Sequence, residues 1–466
     1  MSTWAERKKA ELLAKLASID DELAYWQAQA GPRDILAKHN SQLARVAAQL
    51  TPVLARVKAD IGAAELGTSW PRFEREVLDL HRVWDFFREK LALRYIDWFA
   101  DYLLAADEYA WACYEPAQKA ATAAKTVEPA AVREPPLVSF TPVSTPFSIP
   151  RGSSYAADVG AAGLVTPAST ALAQQLPVPI VGVPWFQLYH LPDALVIGHE
   201  VGHLVERDAR LTATIERLVE QAFTEMRVDG ERVAAWRGWA AEAFADVYGA
   251  LAGGPAFVRA LSDFLITARA GPAGTKDYPP VTLRVALTAA VLPAAAAAGE
   301  REATETETAM GELHASWAAD GIADFGEQAS EASAVACALV AGPYPELGNV
   351  ALSEVIRFDG KRLKDHREDA QALLERRMPR TGDARTLIAA TGRAYALDPS
   401  IYQAHDVPAR VLHRMRDIQA PGVREAPHLA PADRPSADAR AAEELYEILT
   451  RESSPHPGPV RLQNPT

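Results

Sequence analysis

The sequence predicts a mainly α (α+β) fold, with a small sheet between two helical regions. Along most of the chain, apolar residues recur at every third or fourth position, as they do on the buried face of an α-helix. One short run, VPIVGVP at 178–184, carries β-branched residues between prolines and predicts a strand. We therefore expect a helical N-terminal region, a central core that contains this strand, and a helical C-terminal region.

The length of 466 residues corresponds to two or three domains of ordinary size. We predict a helical N-terminal domain at 1–128, a central core at 129–275 and a helical C-terminal domain at 276–420. A polar, proline-bearing tail at 421–466 is expected to be partly disordered.

Charge and cysteine content restrict the partners and the compartment. A net charge of -13 argues against a nucleic-acid partner held through phosphate contacts. Two cysteines, Cys113 and Cys337, are too few for a disulfide framework or a thiolate zinc site, and they favour a reducing compartment. The chain shows no signal-peptide core and no uncharged apolar run of membrane-spanning length. We predict a cytoplasmic protein with no membrane partner.

Residues 3–125 predict three long helices packed side by side. Gly31-Pro32 and the GTSWP stretch at 67–71 are the expected breaks, because glycine and proline interrupt helices. An aromatic segment in this region is assigned to the core, and a groove for a protein partner is the alternative. Its members are Trp84, Phe86, Phe87, Tyr95, Trp98, Phe99 and Tyr102.

Prolines dominate the prediction for the central region. The proline-rich segment 129–150 predicts extended chain, either a linker or an irregular edge. Prolines on both sides make 178–183 an edge strand rather than a central one. The helices expected downstream are 193–208, 209–227, 231–252 and 255–270, with Gly253-Gly254-Pro255 between the last two. Residues 281–420 are expected to be mainly helical, with loops near 342–349 and 379–384, and a short helix follows at 437–451.

The stretch ALVIGHEVGHLVERD at 194–208 contains the pattern H-E-x-x-H. His199 and His203 lie about 40° apart around a helix axis, so both imidazoles can reach one metal ion. Glu200 is turned by about 100° from His199 and approaches the open side of that ion, where it can act as a base. Burying these three side chains among the flanking aliphatic residues is costly without a partner, and a metal supplies that partner.

A catalytic zinc ion needs a third protein ligand. The metzincin pattern requires glycine and histidine where this chain has Glu206 and Ala209, which excludes that class. Downstream, GWAAEAFADVYGALAGG at 238–254 places Glu242 and Asp246 one turn apart on a helix. These two carboxylates are the candidates for completing the site.

With H-E-x-x-H followed by E-x-x-x-D, the sequence resembles the gluzincin metallopeptidases over residues 176–260. The resemblance implies a zincin-like catalytic core and a Zn²⁺ cofactor bound by His199, His203 and Glu242. It also implies that Asp246 holds His199 by a hydrogen bond. The spacing from His203 to Glu242 is longer than in the thermolysin-like branch, no asparagine precedes Glu242, and Asp246 could itself be the ligand.

Small residues on both helices are compatible with this pairing, because they let two backbones approach closely. A short Glu242 side chain requires such an approach, although general alanine richness would also explain the pattern. The small residues are Gly198 and Gly202 on the histidine helix and Ala241, Ala245 and Gly249 on the downstream helix.

The same resemblance implies a tyrosine or histidine from elsewhere that stabilises an oxyanion. Tyr278 in KDYPPVTLR is our first choice, because its loop is stiffened by prolines and follows the ligand helices. Tyr344, His190 and His405 are the other candidates, each with a structural role as the alternative. Arg284, in an apolar run that predicts a buried or interfacial helix, either holds a substrate carboxylate or pairs with a nearby acid.

Together these residues predict a zinc-dependent metallopeptidase in which Glu200 is the general base for metal-activated water and Tyr278 stabilises the oxyanion. A peptide or protein substrate would add as a strand to 178–183, unless the 129–150 segment covers that edge. One alternative is a regulatory protein whose zinc site is structural or inactive and whose N-terminal helices bind a partner. Another is a toxin-like or defence protease of narrow specificity.

Overall fold

The computed structural model describes residues 3–31, 34–125, 134–149, 178–224, 226, 228–267, 274–276, 278–296, 300–319, 329–417 and 434–450. Most of the tail predicted to be partly disordered, 421–433 and 451–466, lies outside these residues.

The chain is mainly helical with a small sheet, as its apolar periodicity predicts. The helices are α1 (Trp4–Ala28), α2 (Asn40–Ala63), α3 (Leu66–Ala92), α4 (Asp97–Ala123), α5 (Trp185–Tyr189), α6 (Ile197–Asp208), α7 (Thr212–Ala222), α8 (Gly230–Gly238), α9 (Ala240–Thr267), α10 (Val281–Ala296), α11 (Glu300–Ala319), α12 (Ala329–Ala341), α13 (Leu352–Val355), α14 (Gly360–Leu374), α15 (Ala384–Leu397), α16 (Pro399–Ala404), α17 (Val407–Asp417) and α18 (Arg434–Thr450). The strands are β1 (Leu137–Thr141), β2 (Phe147–Ile149), β3 (Ile180–Pro184), β4 (Pro343–Tyr344) and β5 (Val350–Ala351). Among these described helices, none combines the length and the apolar composition that a bilayer crossing requires.

The N-terminal region forms four long helices, α1–α4, where the sequence predicts three. The break near Gly31 is confirmed, but the GTSWP stretch lies inside α3. Pro71 does not end the helix, because the buried face that includes Phe73 and Val77 continues past it. An additional break at the 3-10 turn Leu93–Tyr95 separates α3 from α4.

The aromatic segment divides at this additional break. Trp84 and Phe87 on α3 are buried, as the core prediction requires. Beyond the turn, Trp98 is 64% exposed, and its ring stacks on Tyr189 with 6.4 Å between the centroids. The core prediction is therefore wrong for Trp98 and for the exposed Tyr95, because the turn directs this part of the chain to the surface.

Strand β3 is the central strand of its sheet, so the edge-strand prediction is wrong. β1 pairs with it in parallel on one side, and β2 pairs with it antiparallel on the other. The prolines stand at the strand ends, where a missing N–H costs no ladder hydrogen bond, and the Pro179 carbonyl accepts one from Leu137 N at 2.9 Å. Because β1 and β2 occupy both sides of β3, strand addition of a peptide to 178–183 is excluded.

Helix boundaries in the central region differ from the prediction at three places. The helix predicted over 193–208 begins as a 3-10 helix, Leu191–Val196, before α6. The helix predicted over 209–227 shortens to α7, whose start is delayed because Arg210 adopts a positive φ of 58°. The helix predicted over 231–252 divides into α8 and α9 at Trp239, whose indole donates to the Thr275 carbonyl at 2.9 Å. Gly238 is the last residue of α8, but a single glycine inside a helical pattern is a weak break signal, and the prediction continues the helix through it.

The predicted separation at Gly254 is confirmed, because its φ of 62° interrupts α9. The first segment of α9 ends with carbonyls that have no partner within the helix. The buried guanidinium of Arg385 donates to two of them, Leu251 O at 2.7 Å and Ala252 O at 2.9 Å. The break is therefore stabilised by a side chain from α15.

Two hydrophobic cores meet at the sheet. The smaller core joins α1–α3 to α18, which packs on α2 and confirms the short helix predicted at 437–451. The larger core contains the buried faces of α4, α6, α9, α10, α12, α15 and α17. Strand β3 contributes Ile180 to the smaller core and Val181 and Val183 to the larger one. The predicted domain boundaries stay a prediction.

A buried polar cluster centred on Asp107 connects the two cores. Arg94 Nη2 donates to both carboxylate oxygens of Asp107, at 2.8 and 2.7 Å, and to the Val138 carbonyl at 2.8 Å. His39 Nε2 lies 3.3 Å from the same carboxylate. Burial alone would raise the pKa of Asp107, but the positive charge and the hydrogen bonds of Arg94 hold it well below its ordinary value.

We predict that Asp107→Asn lowers the free energy of unfolding by about 3–5 kcal/mol at pH 7, because it leaves the buried Arg94 without its counterion. The pKa of this carboxyl is lower in the folded state than its unfolded value of about 4. Its contribution to stability is therefore complete at pH values above about 4, and it decreases as the pH falls from about 4 towards the folded-state pKa. The difference between the two proteins should therefore narrow at pH 3. Urea unfolding at both pH values measures it.

Asp365→Asn is the control, because Asp365 forms a surface pair with Lys361 at 2.9 Å and such pairs contribute little. A loss for Asp107→Asn no larger than that of this control, or a difference that stays constant down to pH 3, would contradict the role given to Asp107.

Candidate metal centre

Helix α6 places the H-E-x-x-H residues against the larger core. Its aliphatic residues Ile197, Val201 and Leu204 are fully buried, which fixes the orientation of the helix. The two imidazoles lie on one face, with 3.1 Å between His199 Nε2 and His203 Nε2. The i, i+4 spacing therefore brings the two ring nitrogens together as expected.

Helix α9 brings the third donor. Glu242 Oε2 lies 3.5 Å from His199 Nε2, and Glu242 Oε1 lies 3.2 Å from His203 Nε2. A tetrahedral zinc site with bonds of about 2.0–2.1 Å separates its donor atoms by about 3.3 Å, which is close to these distances. Within the described chain, these three residues are the one group of His, Cys, Asp and Glu donors that could hold a metal ion.

Asp246 lies behind the cluster rather than in it. Its Oδ1 is 2.8 Å from His199 Nδ1, the ring nitrogen that faces away from Glu242. Arg284 donates to both oxygens of Asp246 at 2.7 Å, so this carboxylate is fully engaged. The structure thus places Glu242 beside both histidines, and it places Asp246 where it fixes the orientation of one imidazole.

The structure pairs Arg284 with an acid, which is the second of the two roles predicted for this residue. Nothing in the sequence shows that Arg284 lies next to the metal cluster. Besides its two bonds to Asp246, Arg284 Nη2 lies 3.3 Å from Glu242 Oε2. One sequence feature could have indicated this contact. Arg284 is a single charge within the otherwise apolar first turns of α10, and such a charge needs a buried partner.

The electrostatics of the cluster favour a cation. Burial opposes ionisation of Asp246, yet the charge and hydrogen bonds of Arg284 lower its pKa to about 2. Burial also opposes ionisation of Glu242, but its bond to His203 and the charge of His199 hold its pKa below the ordinary value. The same bond raises the pKa of His203 despite burial of the ring.

The formal charges around the cluster fit a divalent ion. With neutral imidazoles, the carboxylates of Glu200, Glu242 and Asp246 oppose the single guanidinium of Arg284, which leaves two negative charges in a largely buried site. Glu242 Oε2 is buried and accepts no hydrogen bond from the described residues. A divalent metal would balance these charges and give that oxygen a bond in addition to its ion pair with Arg284.

Glu200 is the uncommitted carboxylate of the site. The residue is only 8% exposed, and its side chain forms no hydrogen bond or ion pair with the described residues. Its charge acts on both His203 and Arg284, which places it beside the cluster. Its oxygens are not among the buried polar atoms that lack a partner, so they reach water, and the carboxylate is available for a proton or a ligand.

Close contact between the two helices holds the donors together, as the small residues predict. A Cβ atom on Gly202 would lie 2.8 Å from Ala245 Cα, and one on Gly198 would lie 3.5 Å from Gly249 Cα. The first of these distances is shorter than real Cβ contacts allow. Glycine at 202 is therefore required for the observed separation of the backbones.

The outer candidates differ in accessibility. Tyr278 is exposed, and its backbone N–H donates to Thr275 Oγ1 at 3.1 Å. Tyr344 is fully buried and donates to the Leu339 carbonyl at 2.9 Å, which gives it a structural role. His405 Nδ1 lies 2.6 Å from a backbone carbonyl. Assignment of Tyr278 to an oxyanion stays a prediction.

Comparisons of the chain with protein-family models, with curated proteins and with solved structures find no match. The resemblance to gluzincins therefore depends on the residues of the cluster and on their arrangement alone.

We predict that Gly202→Ala lowers the free energy of unfolding by about 1–3 kcal/mol, because the added methyl group forces α6 away from α9. The same change should weaken metal binding, since it increases the distance between the histidines and Glu242. Denaturant unfolding and zinc titration measure the two effects.

Gly311→Ala is the matched control, because a Cβ atom at this position in α11 meets no atom within 4 Å. Alanine should stabilise the helix there by about 0.5–1 kcal/mol. Equal effects of the two substitutions would show that the helix contact is not as tight as described.

Proposed function

We propose that this protein is a zinc-dependent metallopeptidase that hydrolyses peptide bonds. The observation that carries the proposal is the position of Glu200, a carboxylate that no described residue engages, next to a cluster of two imidazoles and one carboxylate. When bound, a zinc ion lowers the pKa of water and polarises a carbonyl group.

The donor set supports a catalytic rather than a structural zinc ion. Structural zinc sites are usually closed by four protein ligands, commonly with cysteine, whereas catalytic sites have three and leave one position open. His199, His203 and Glu242 provide three, and neither cysteine belongs to the cluster. His203 keeps 19% of its side chain exposed, so the cluster can be reached from solvent.

Each remaining residue has a task in peptide hydrolysis. Glu200 accepts a proton from the attacking water and returns it to the leaving amine, since no other group in the described residues engages its carboxylate. Asp246 keeps a proton on His199 Nδ1, which leaves Nε2 free as a donor to the metal. Arg284 fixes Asp246 and keeps it charged.

A regulatory protein with an inactive zinc site is the competing proposal. It accounts for the three ligands and assigns partner binding to the N-terminal helices, but it gives no reason for a carboxylate beside the ligands that no described residue engages. A purely structural ion needs no base, so Glu200 favours the enzyme over this alternative. A narrow-specificity defence protease remains a special case of the same chemistry.

We predict that Glu200→Gln lowers the rate of peptide cleavage by about 10²–10⁴-fold while the zinc content stays at one ion per chain. The amide has nearly the same shape but cannot accept the proton. A library of unstructured peptides with mass-spectrometric detection measures cleavage, and elemental analysis measures zinc.

Glu206→Gln is the matched control on the same helix. Glu206 accepts a hydrogen bond from Thr212 Oγ1 at 2.8 Å, and a glutamine carbonyl can accept the same bond, so cleavage should stay within about twofold of wild type. Zinc binding without any cleavage that depends on Glu200 would refute the enzyme and favour the regulatory protein.

A further inference from the structure

A second polar cavity lies away from the metal cluster. It has a volume of about 180 Å³ and is formed by the second segment of α9, by α11 and by α15. Its polar side chains are Arg259, Glu312, Ser316 and Arg393, and Leu313 and Leu397 belong to its apolar wall. It shares no lining residue with the metal cluster, so the inference drawn from it does not depend on the proposed function.

The ion pairs around the cavity are long, and their carboxylates are exposed. Arg259 donates to Ser316 Oγ at 2.5 Å and lies 3.8 Å from Asp263, whereas Arg393 has only Glu312 at 3.7 Å. Both carboxylates are more than half exposed, and water screens them.

A third guanidinium lies beside Arg393. Nε and Nη2 of Arg367 are buried and have no hydrogen-bond acceptor among the described residues. Burial and the positive charge of Arg367 both lower the pKa of Arg393, which places the two cations near each other. The charge of Arg367 therefore adds to the positive potential at Arg393.

We propose that this cavity binds a small organic carboxylate with a short aliphatic body. Arg393 holds the carboxylate, the charge of Arg367 adds to the attraction, and Leu313 and Leu397 contact the aliphatic part. Arg393 is held only loosely by Glu312, at 3.7 Å, so it can bind a single carboxylate. The volume suits about eight non-hydrogen atoms, since an apolar cavity of about 150 Å³ holds benzene.

The first test is calorimetric titration of the full-length protein with 4-methylpentanoate and with the uncharged amide of the same shape. The carboxylate should bind saturably with one site per chain, and the amide should bind at least about tenfold more weakly, because it lacks the charge-assisted bonds. Absence of saturable binding by 4-methylpentanoate overturns the proposal. Inorganic phosphate that binds the same site more tightly also overturns it, in favour of a phosphate ligand.

Two variants assign the binding to these arginines. Arg393→Met should weaken binding of 4-methylpentanoate by about tenfold or more, whereas Arg377→Met, which changes a surface arginine paired with Glu375 at 2.5 Å, should leave it within about twofold. Unchanged binding by Arg393→Met places the ligand elsewhere and overturns the assignment.

The stability of the ligand-free protein gives an independent result. Arg367→Met removes a cation that has no partner, so it should raise the melting temperature and weaken binding of 4-methylpentanoate. Arg362→Met, on the same helix, removes a guanidinium that pairs with Asp383 and should lower the melting temperature. A lower melting temperature for Arg367→Met would show that the Arg367 guanidinium has a stabilising partner. Its charge would then not be available to attract a carboxylate, which contradicts the proposal.

Discussion

The contact between helices α6 and α9 is the constraint on which the candidate site depends. Two histidines are carried by one helix, and a glutamate side chain is short, so Glu242 reaches them only if the backbones nearly touch. Gly202 against Ala245 and Gly198 against Gly249 provide that approach. The aliphatic residues of α6 pack into the larger core and hold the helix in the same orientation. Packing, rather than the motif alone, therefore creates the site.

The same contact buries charge, and this gives the site its chemistry. Asp246 is fully buried between His199 and Arg284, which stabilises its ionised form and orients the imidazole. Glu200 has no comparable partner in the described chain. One carboxylate is thus committed to positioning and the other is available for proton transfer, although both lie within one cluster.

Local features of this fold were predictable, and pairing between distant segments was not. The spacing of His199 and His203, the small residues on both ligand helices and the break at Gly254 are local properties that the sequence carries directly. Strand β3 is central because β1 and β2, from the preceding segment, pair with it on both sides. Prolines at the ends of β3 do not indicate whether the strand is central or at an edge. At the division of the helix near Trp239, Gly238 is only a weak break signal, and the contact of the Trp239 indole with Thr275 is a tertiary one that the sequence does not show.

Anomalous diffraction at the zinc edge, from crystals grown with zinc, tests the central claim most directly. The account predicts one peak about 2.0–2.2 Å from His199 Nε2, from His203 Nε2 and from a carboxylate oxygen of Glu242. A density map without a peak among these atoms, or with an ion bound by Asp246 in place of Glu242, would contradict it.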